Sequence, residues 1–360
     1  MVVTGGVVAV VAAGIMHGSA PAVLAFIVAG AAVALLASLV GRSVEQLGDR
    51  FGPGATGVLQ SALGNLPELF IGFFALRAGL VAVVQAAIIG SILSNILLVL
   101  GLAFVVGGLR HGTQRFDSDR ARTSTVLMVL ATGALVMPSL ASYVHAPAEP
   151  HEKALSIVVS AVLLGVFLLS LPSALRRTAD PTEAAGPADP AKAAGPASPA
   201  KAAEHAGPRW PLWLAVTMLT AASVAAALVS DWFVSALEPA INALGVSQAF
   251  AGLVIVAIAG NAIENVVGIQ LAYRNQADFA LSVIVQSPLQ VALVLAPALV
   301  LVSLFTATTL TLVFAPLLVM AVAIAVLATA FIVFDGESTW LEGVTLIALY
   351  AIIATTFWWG

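Results

Sequence analysis

The chain has 360 residues, of which 61% are hydrophobic and only 9% charged, with a mean hydropathy of +1.07. A soluble domain carries about 25% charged residues, so this composition excludes a separate soluble catalytic domain and points to a polytopic membrane protein. The absence of cysteine excludes disulfides, thiolate metal ligands and cysteine nucleophiles, and a net charge of -4 is too small to name a partner.

Apolar runs of spanning length fall at 2–16, 21–40, 54–77, 80–107, 123–140, 153–175, 210–229, 243–272, 278–304, 308–334 and 340–359. The expected fold is an all-α polytopic membrane protein with about 11 transmembrane helices. The first run lacks the basic stretch of a signal peptide and leads almost at once into a second run. Residues 1–20 therefore read as a retained transmembrane helix, with Ser19-Ala20-Pro21-Ala22 the cleavage region of the competing signal-peptide reading. Val40, Val44, Leu47 and Phe51 share one helical face, which suits either an interfacial segment or plain continuation of the second helix. Gly64 and Pro67 interrupt the third run, Gly260 the eighth, and Pro288 and Pro297 the ninth. Helices broken near mid-membrane are tolerated only where freed backbone groups face protein or a water-filled cavity.

The one long polar stretch, 176–209, is rich in alanine and proline, and its Ala185–Lys192 segment is nearly repeated at Ala194–Lys201. It reads as a disordered cytoplasmic tether, whose Asp180, Glu183, Asp189 and Glu204 offer at most a weak calcium-sensing surface. Twelve of the 14 basic residues fall in loops on the N-terminal side, leaving Arg77 and Lys153 opposite. The positive-inside rule then places the N-terminus in the cytoplasm and, for eleven spans, the C-terminus outside.

Gly64-Asn65-Leu66-Pro67-Glu68-Leu69 sets a carboxylate inside an apolar run, and adding 196 to each number gives Gly260-Asn261-Ala262-Ile263-Glu264-Asn265. Downstream, Ser91 falls on Ser287 and Ser94 on Gln290, each of the matched serines 91 and 287 following its glutamate by 23 residues. The duplication defines two five-helix units, 21–175 and 210–360, joined by the linker. Because five is odd, the units cross the membrane in opposite senses, and the motifs meet at the centre of an inverted repeat.

Asn65 and Glu68 share a helical face, as do Asn261 and Glu264. With Ser91, Ser94 and Asn95 from the next helix of one unit and Ser287 and Gln290 from the other, the candidate ligand set is all oxygen. That set suits a hard cation such as calcium. The five histidines, which would favour zinc or copper, lie in loops or at span ends. Asn95 ranks below the rest, because Val291 takes its place in the second unit. Two ionised glutamates neutralise one divalent cation, and two protonated ones leave the empty site neutral, so protons and metal compete for Glu68 and Glu264 as in an antiporter. An intramembrane hydrolase would need an Asp pair or a Gly-x-Gly-Asp motif, which the spans lack. A channel fits two coupled protonatable groups less well than alternating access does.

These residues closely resemble the calcium/proton exchanger family of the cation/calcium antiporter superfamily. The first motif and Val84-Gln85-Ala86-Ala87-Ile88-Ile89-Gly90-Ser91-Ile92-Leu93-Ser94-Asn95 are similar to its first repeat, GNATEL followed by VVQASLLGSILSN. The likeness extends to Gln114-Arg115-Phe116 and to the Asp335–Val344 stretch, near the family's DGKSNWLEGV. The resemblance implies an antiporter of a bacterial inner membrane, exporting Ca2+ for H+ by alternating access, with sodium coupling or manganese transport as the rival within the superfamily. It places the acidic cation ligands and proton carriers on Glu68 and Glu264, and supporting oxygens on Asn65, Ser91, Ser94, Asn95, Asn261, Ser287 and Gln290. It implies no enzymatic activity and no resident cofactor. The expected partners are calcium ions, protons and the lipid bilayer rather than nucleic acid; self-association stays open. The chain departs from the family at Asn265, where histidine is frequent, at Leu66 and Pro67, and at Gln286-Ser287-Pro288-Leu289-Gln290, where GSSTQ is usual.

Overall fold

The structure, a computed structural model, describes residues 2–50, 59–60, 62–176 and 210–359. The expected tether at 176–209 therefore lies, beyond Arg176, outside the described residues, as does Phe51. The helices are α1 (Val2–Ser19), α2 (Ala22–Gly48), α3 (Leu66–Arg77), α4 (Val81–His111), α5 (Ser118–Tyr143) and α6 (Glu152–Arg176). They continue with α7 (Leu212–Leu244), α8 (Gln248–Gly260), α9 (Ala262–Tyr273), α10 (Ala277–Ser303), α11 (Pro316–Val333) and α12 (Trp340–Thr356). Among the described residues seven helices are long and apolar enough to cross a membrane, or eight when the bent pair α8 and α9 counts as one span. The apolar stretches Val3–Ser19 and Trp340–Thr356 are shorter. The protein is a multi-pass, all-α membrane protein.

Burial sorts the layers. In α4 and α10, 83% and 72% of the most apolar window is buried, against 17% and 22% in α6 and α7, so α4 and α10 form the centre. Two glycines let the halves meet there. A Cβ on Gly90 of α4 would stand 2.2 Å from the Leu253 carbonyl oxygen of α8, and one on Gly252 would stand 2.3 Å from that of Val83. Backbones that close leave no space for any side chain, and association inside a bilayer depends on such approach.

α2 and α7 lie against each other, with the rings of Phe26 and Phe233 stacked 4.6 Å apart. At the other end Trp210 N donates to Gln46 Oε1 at 3.0 Å, and Arg50 donates to the Trp210 carbonyl. α2 continues unbroken to Gly48 with Val40, Val44 and Leu47 buried, so the amphipathic stretch is an extension of the helix and not a separate interfacial segment. α1 packs on the same pair, His17 stacking on Trp232 at 5.8 Å.

Several span boundaries differ from expectation. α7 runs on to Leu244 through Asp231, Glu238 and Pro239, where hydropathy falls; it stops at Gly245, whose φ of 64° caps the helix. Ser247 then caps α8 by accepting from Phe250 N at 2.9 Å, so that span begins at 248 instead of 243. α10 does not break at Pro288 or Pro297; it absorbs the disturbance in a π-helical turn, Val291–Leu295. The run read as helix from 308 starts only at Pro316, because residues 309–315 are non-helical. Ala315, preceding a proline, sits at φ −61°, ψ 144°.

At the opposite end of the molecule, β1 (Gln114–Arg115) pairs antiparallel with β2 (Glu337–Ser338). The two distant segments that carried the family resemblance outside the main motif are thus partners. Thr339 and Glu342 form a capping box on α12, Thr339 N donating to Glu342 Oε2 at 2.8 Å.

Candidate functional site

The breaks fall at the two motif asparagines. Asn65 has φ −93°, ψ 18° and Asn261 φ −89°, ψ 18°, the same bridge-region conformation in each copy. Neither side chain caps the helix it precedes, which frees both amides for other contacts. Each break opens backbone groups at a helix end and starts a helix whose first turn holds a glutamate, Glu68 in α3 and Glu264 in α9. A carboxylate at a helix N-terminus is favoured by the aligned peptide dipoles. α8 and α9 bend by 64° across the second break.

The expected polar residues from α4 and α10 converge on these breaks. Asn261 Nδ2 donates to Ser91 Oγ at 3.0 Å and to Ala257 O at 2.9 Å. Its Oδ1 accepts from Ser287 Oγ and from Asn95 Nδ2, both at 3.1 Å. Asn95 also donates to Ser287 Oγ at 3.2 Å and to Ser91 O at 2.9 Å. Four residues from both halves thus form one closed network. On the other side Asn65 Nδ2 reaches Gln290 Oε1 at 3.4 Å. Ser94 turns back to its own helix, donating to Ser91 O at 3.3 Å, so its hydroxyl makes no such contact across the halves. Asn95, ranked low for want of a polar counterpart at Val291, stands at the hub.

Gly260 belongs to the site because of what it leaves room for: a Cβ there would stand 2.7 Å from Glu68 Cγ. Glu68 of one half therefore packs on the motif glycine of the other. Glu264 lies within coulombic reach of Glu68. Glu68 Oε2, Asn95 Oδ1 and Asn265 Oδ1 are enclosed and have no hydrogen-bond partner. A buried oxygen in that condition costs about 1–3 kcal/mol, more if charged, a cost that a bound cation or a proton removes. Gly260 and Asn265 are contributions that spacing alone had not singled out as site residues; the signal for Gly260 was its place in the repeated Gly-Asn pair.

A small cavity adjoins Glu68. It is lined by Ile71, Gly72 and Ala75 of α3, Val83, Val84, Ala87, Ile88 and Ser91 of α4, and Val256, Leu295 and Leu299 from the second half. About 30 Å³ is open to the centre of a water-sized sphere, enough to admit water. Apart from Glu68 and Ser91 its walls are apolar.

One helix break in each half, each followed by a glutamate in the first turn of the next helix and both facing one buried polar cluster, is the arrangement of a secondary transporter. The chain belongs to the sodium/calcium exchanger protein family, whose model matches residues 21–174 and 214–359. It is 36% identical over 336 residues to a "Ca(2+)/H(+) antiporter" of Synechocystis sp., covering 92% of this chain and 90% of that one. It is 35% identical over 359 residues to the "Ca(2+)/H(+) antiporter ChaA" of Bacillus subtilis, covering 99% and 97%. Among solved structures, native YfkE superimposes with a TM-score of 0.79 at 33% identity, covering 99% of this chain and 98% of that chain. The H+/Ca2+ exchanger CAX matches in fold, with a TM-score of 0.70 at 16% identity over 94% and 85% of the two chains.

Proposed function

We propose that the protein exchanges Ca2+ for H+ across a membrane by alternating access, and that Glu68 and Glu264 carry both cargoes in turn. The observation that carries this reading is that two helix breaks bring two glutamates within electrostatic range of each other beside a buried cluster of amide and hydroxyl side chains, one glutamate having an enclosed, unpartnered oxygen. The oxygen-only surroundings, Asn65, Ser91, Asn95, Asn261, Ser287 and Gln290 with Ser94 behind them, suit a hard cation. The names borne by the relatives in Synechocystis and Bacillus subtilis support the same cargo. Charge sets the cycle: Ca2+ on two carboxylates is neutral, two protons on the same carboxylates are neutral, and a half-loaded site is charged. A charged site crosses a low-dielectric barrier at great cost, so the half-loaded transporter stays put and the two fluxes are coupled.

In this reading the halves comprise residues 21–175 and 210–360, preceded by the helix of 1–20 and joined by a tether through 176–209. The basic loops place the N-terminus in the cytoplasm of a bacterial cell with export outward. The protein moves ions without enzymatic chemistry and needs no resident cofactor. The test is calcium uptake into proteoliposomes under an imposed pH gradient, with manganese and sodium as competitors. Glu68→Gln and Glu264→Gln keep shape and lose the titratable charge, so each is expected to abolish uptake in a folded protein. Normal uptake by either purified variant overturns the assignment.

A further inference from the structure

α5 and α11 pack side by side, one from each half, and in each only 44% of the most apolar window is buried, so both present a face to lipid. Between them lies a cavity of about 190 Å³, against about 30 Å³ beside Glu68. Its walls are apolar: Val126, Val129 and Leu130 of α5, and Ala330, Val333 and Phe334 of α11. On α5 the spacing from residue 122 to 126, 129 and 130 keeps to one helical face, so the furrow follows the helix for eight residues, about 12 Å at 1.5 Å each. Val126, Leu130 and Phe334 are 50%, 64% and 58% exposed, which leaves it open on the lipid side. An apolar cavity of about 150 Å³ already takes up a molecule the size of benzene, and this one is long enough for part of an acyl chain.

One end of the furrow carries a charge. Arg122 lines it there, its guanidinium carbon 4.9 Å from the centre of the Phe334 ring, and contact with an aromatic face holds a cation in place without neutralising it. Neighbouring charges at this end are engaged elsewhere. Arg110 lies over the Tyr273 ring at 4.2 Å, and Arg115 Nη2 is 3.0 Å from Glu337 Oε1. Asp335 Oδ1 accepts from Glu337 N at 3.0 Å, and Asp278 Oδ1 accepts from Asp117 N at 2.6 Å. Among the described residues no carboxylate forms an ion pair with Arg122. Arg122 stands four residues into α5 and Phe334 directly follows α11, so the cation sits where two spans reach the headgroup level.

We propose that this furrow binds a phospholipid with a net negative headgroup, its phosphate on Arg122 and one acyl chain along Val126, Val129, Leu130 and Ala330. A guanidinium meets a phosphate through two parallel hydrogen bonds, and basic pockets between membrane helices on the cytoplasmic side recognise anionic headgroups; the basic loops assign this end to the cytoplasm in the orientation proposed above. A zwitterionic lipid fits the same walls but brings a second cation to the arginine. The site is independent of the cargo and of the exchange cycle.

The absence of cysteine makes the test direct. Leu327→Cys puts a fluorescent label one turn deeper on α11, at a position 53% exposed and outside the cavity wall, and Leu169→Cys puts one on α6 at a position 80% exposed. Each labelled protein is reconstituted in phosphatidylcholine containing a small fraction of either phosphatidylglycerol or phosphatidylcholine with brominated chains, which quench on contact. Brominated phosphatidylglycerol is expected to quench the label at 327 about fivefold more effectively than brominated phosphatidylcholine, the contribution of one basic residue near the membrane surface, and to show no preference at 169. Arg122 is exposed, so Arg122→Gln should leave the protein folded and erase the preference, while Arg122→Lys should keep part of it. Equal quenching by the two lipids at 327, or a preference that Arg122→Gln leaves intact or that the label at 169 shares, overturns the proposal. So does a label at 327 shielded from both lipids but self-quenched between protein molecules, which would put a second copy of the chain in the furrow.

Discussion

Gly260→Ala tests whether the two halves build one site. Gly260 does not have a positive φ, so alanine is compatible with its backbone, and as the last residue of α8 it would gain helix propensity of up to about 1 kcal/mol. The obstacle is Glu68, 192 residues away in the other copy of the motif. The new Cβ would lie 2.7 Å from Glu68 Cγ and 3.4 Å from both Cδ and Oε1. Carbons rest about 3.5–4.0 Å apart, so the glutamate must withdraw by roughly 1 Å. Calcium–oxygen bonds are about 2.3–2.6 Å long, and a displacement approaching half that length takes the carboxylate out of ligating range. Misplacement of about 1 Å at a reacting group costs on the order of 100-fold, and the same loss is expected in the rate of pH-driven calcium uptake. Overpacking should cost only about 1–3 kcal/mol of stability, so the purified variant should remain monodisperse. Uptake within twofold of the unsubstituted protein, at equal protein in the liposomes, would refute the claim that Glu68 works against the Gly260 backbone.

Gly90→Ala and Gly252→Ala strike the α4–α8 crossing, where the added methyl would meet main-chain oxygens at 2.2 and 2.3 Å; backbone cannot swing aside as a side chain can, so the yield of monodisperse protein by size exclusion should collapse, and normal yield would refute the close crossing. Deleting Ala184 to Glu204 leaves 11 residues between Arg176 and Arg209 and should preserve exchange; loss of uptake at normal expression would give the tether an active part. Glu342 is engaged in the α12 capping box, and Asn265 replaces the histidine frequent in the family, so two protons should return per calcium and the cycle should move no net charge. Steady-state accumulation is then expected to follow the pH gradient and to ignore a potential set with potassium and valinomycin; a steep voltage dependence would reject that stoichiometry. Asn95→Leu removes the donor shared by Ser91 O, Asn261 Oδ1 and Ser287 Oγ and should cost about 1–3 kcal/mol, read as a lower midpoint in a thermal unfolding scan of the detergent-solubilised protein.

The duplicated Gly-Asn motif, the two glutamates and the spacing to Ser91 and Ser287 are linear facts, and they were legible because a repeat offset needs no geometry to be seen. Hydropathy likewise disclosed a membrane protein built of helices, since transfer of a long apolar run to lipid depends on composition summed along the chain. The ends of those runs were less secure. A hydropathy window does not register that Gly245 can adopt φ 64° and Ser247 can cap α8, nor that the 309–315 stretch can stay extended because Gln85, Ser139, Tyr143 and Ser156 meet its backbone groups. The repeat offset also implied a symmetry that the site does not keep. Ser91 and Ser287 are equivalent in sequence, yet both hydrogen-bond Asn261, while Asn65 is left to Gln290. Asn95 lies at the hub although its counterpart is Val291. Residue types and their order decided which oxygens are available to the centre of the membrane; only tertiary packing decided which of them meet, because a hydrogen bond between residues more than 150 positions apart depends on the relative placement of two helices, and that placement is set by close contacts such as those at Gly90, Gly252 and Gly260.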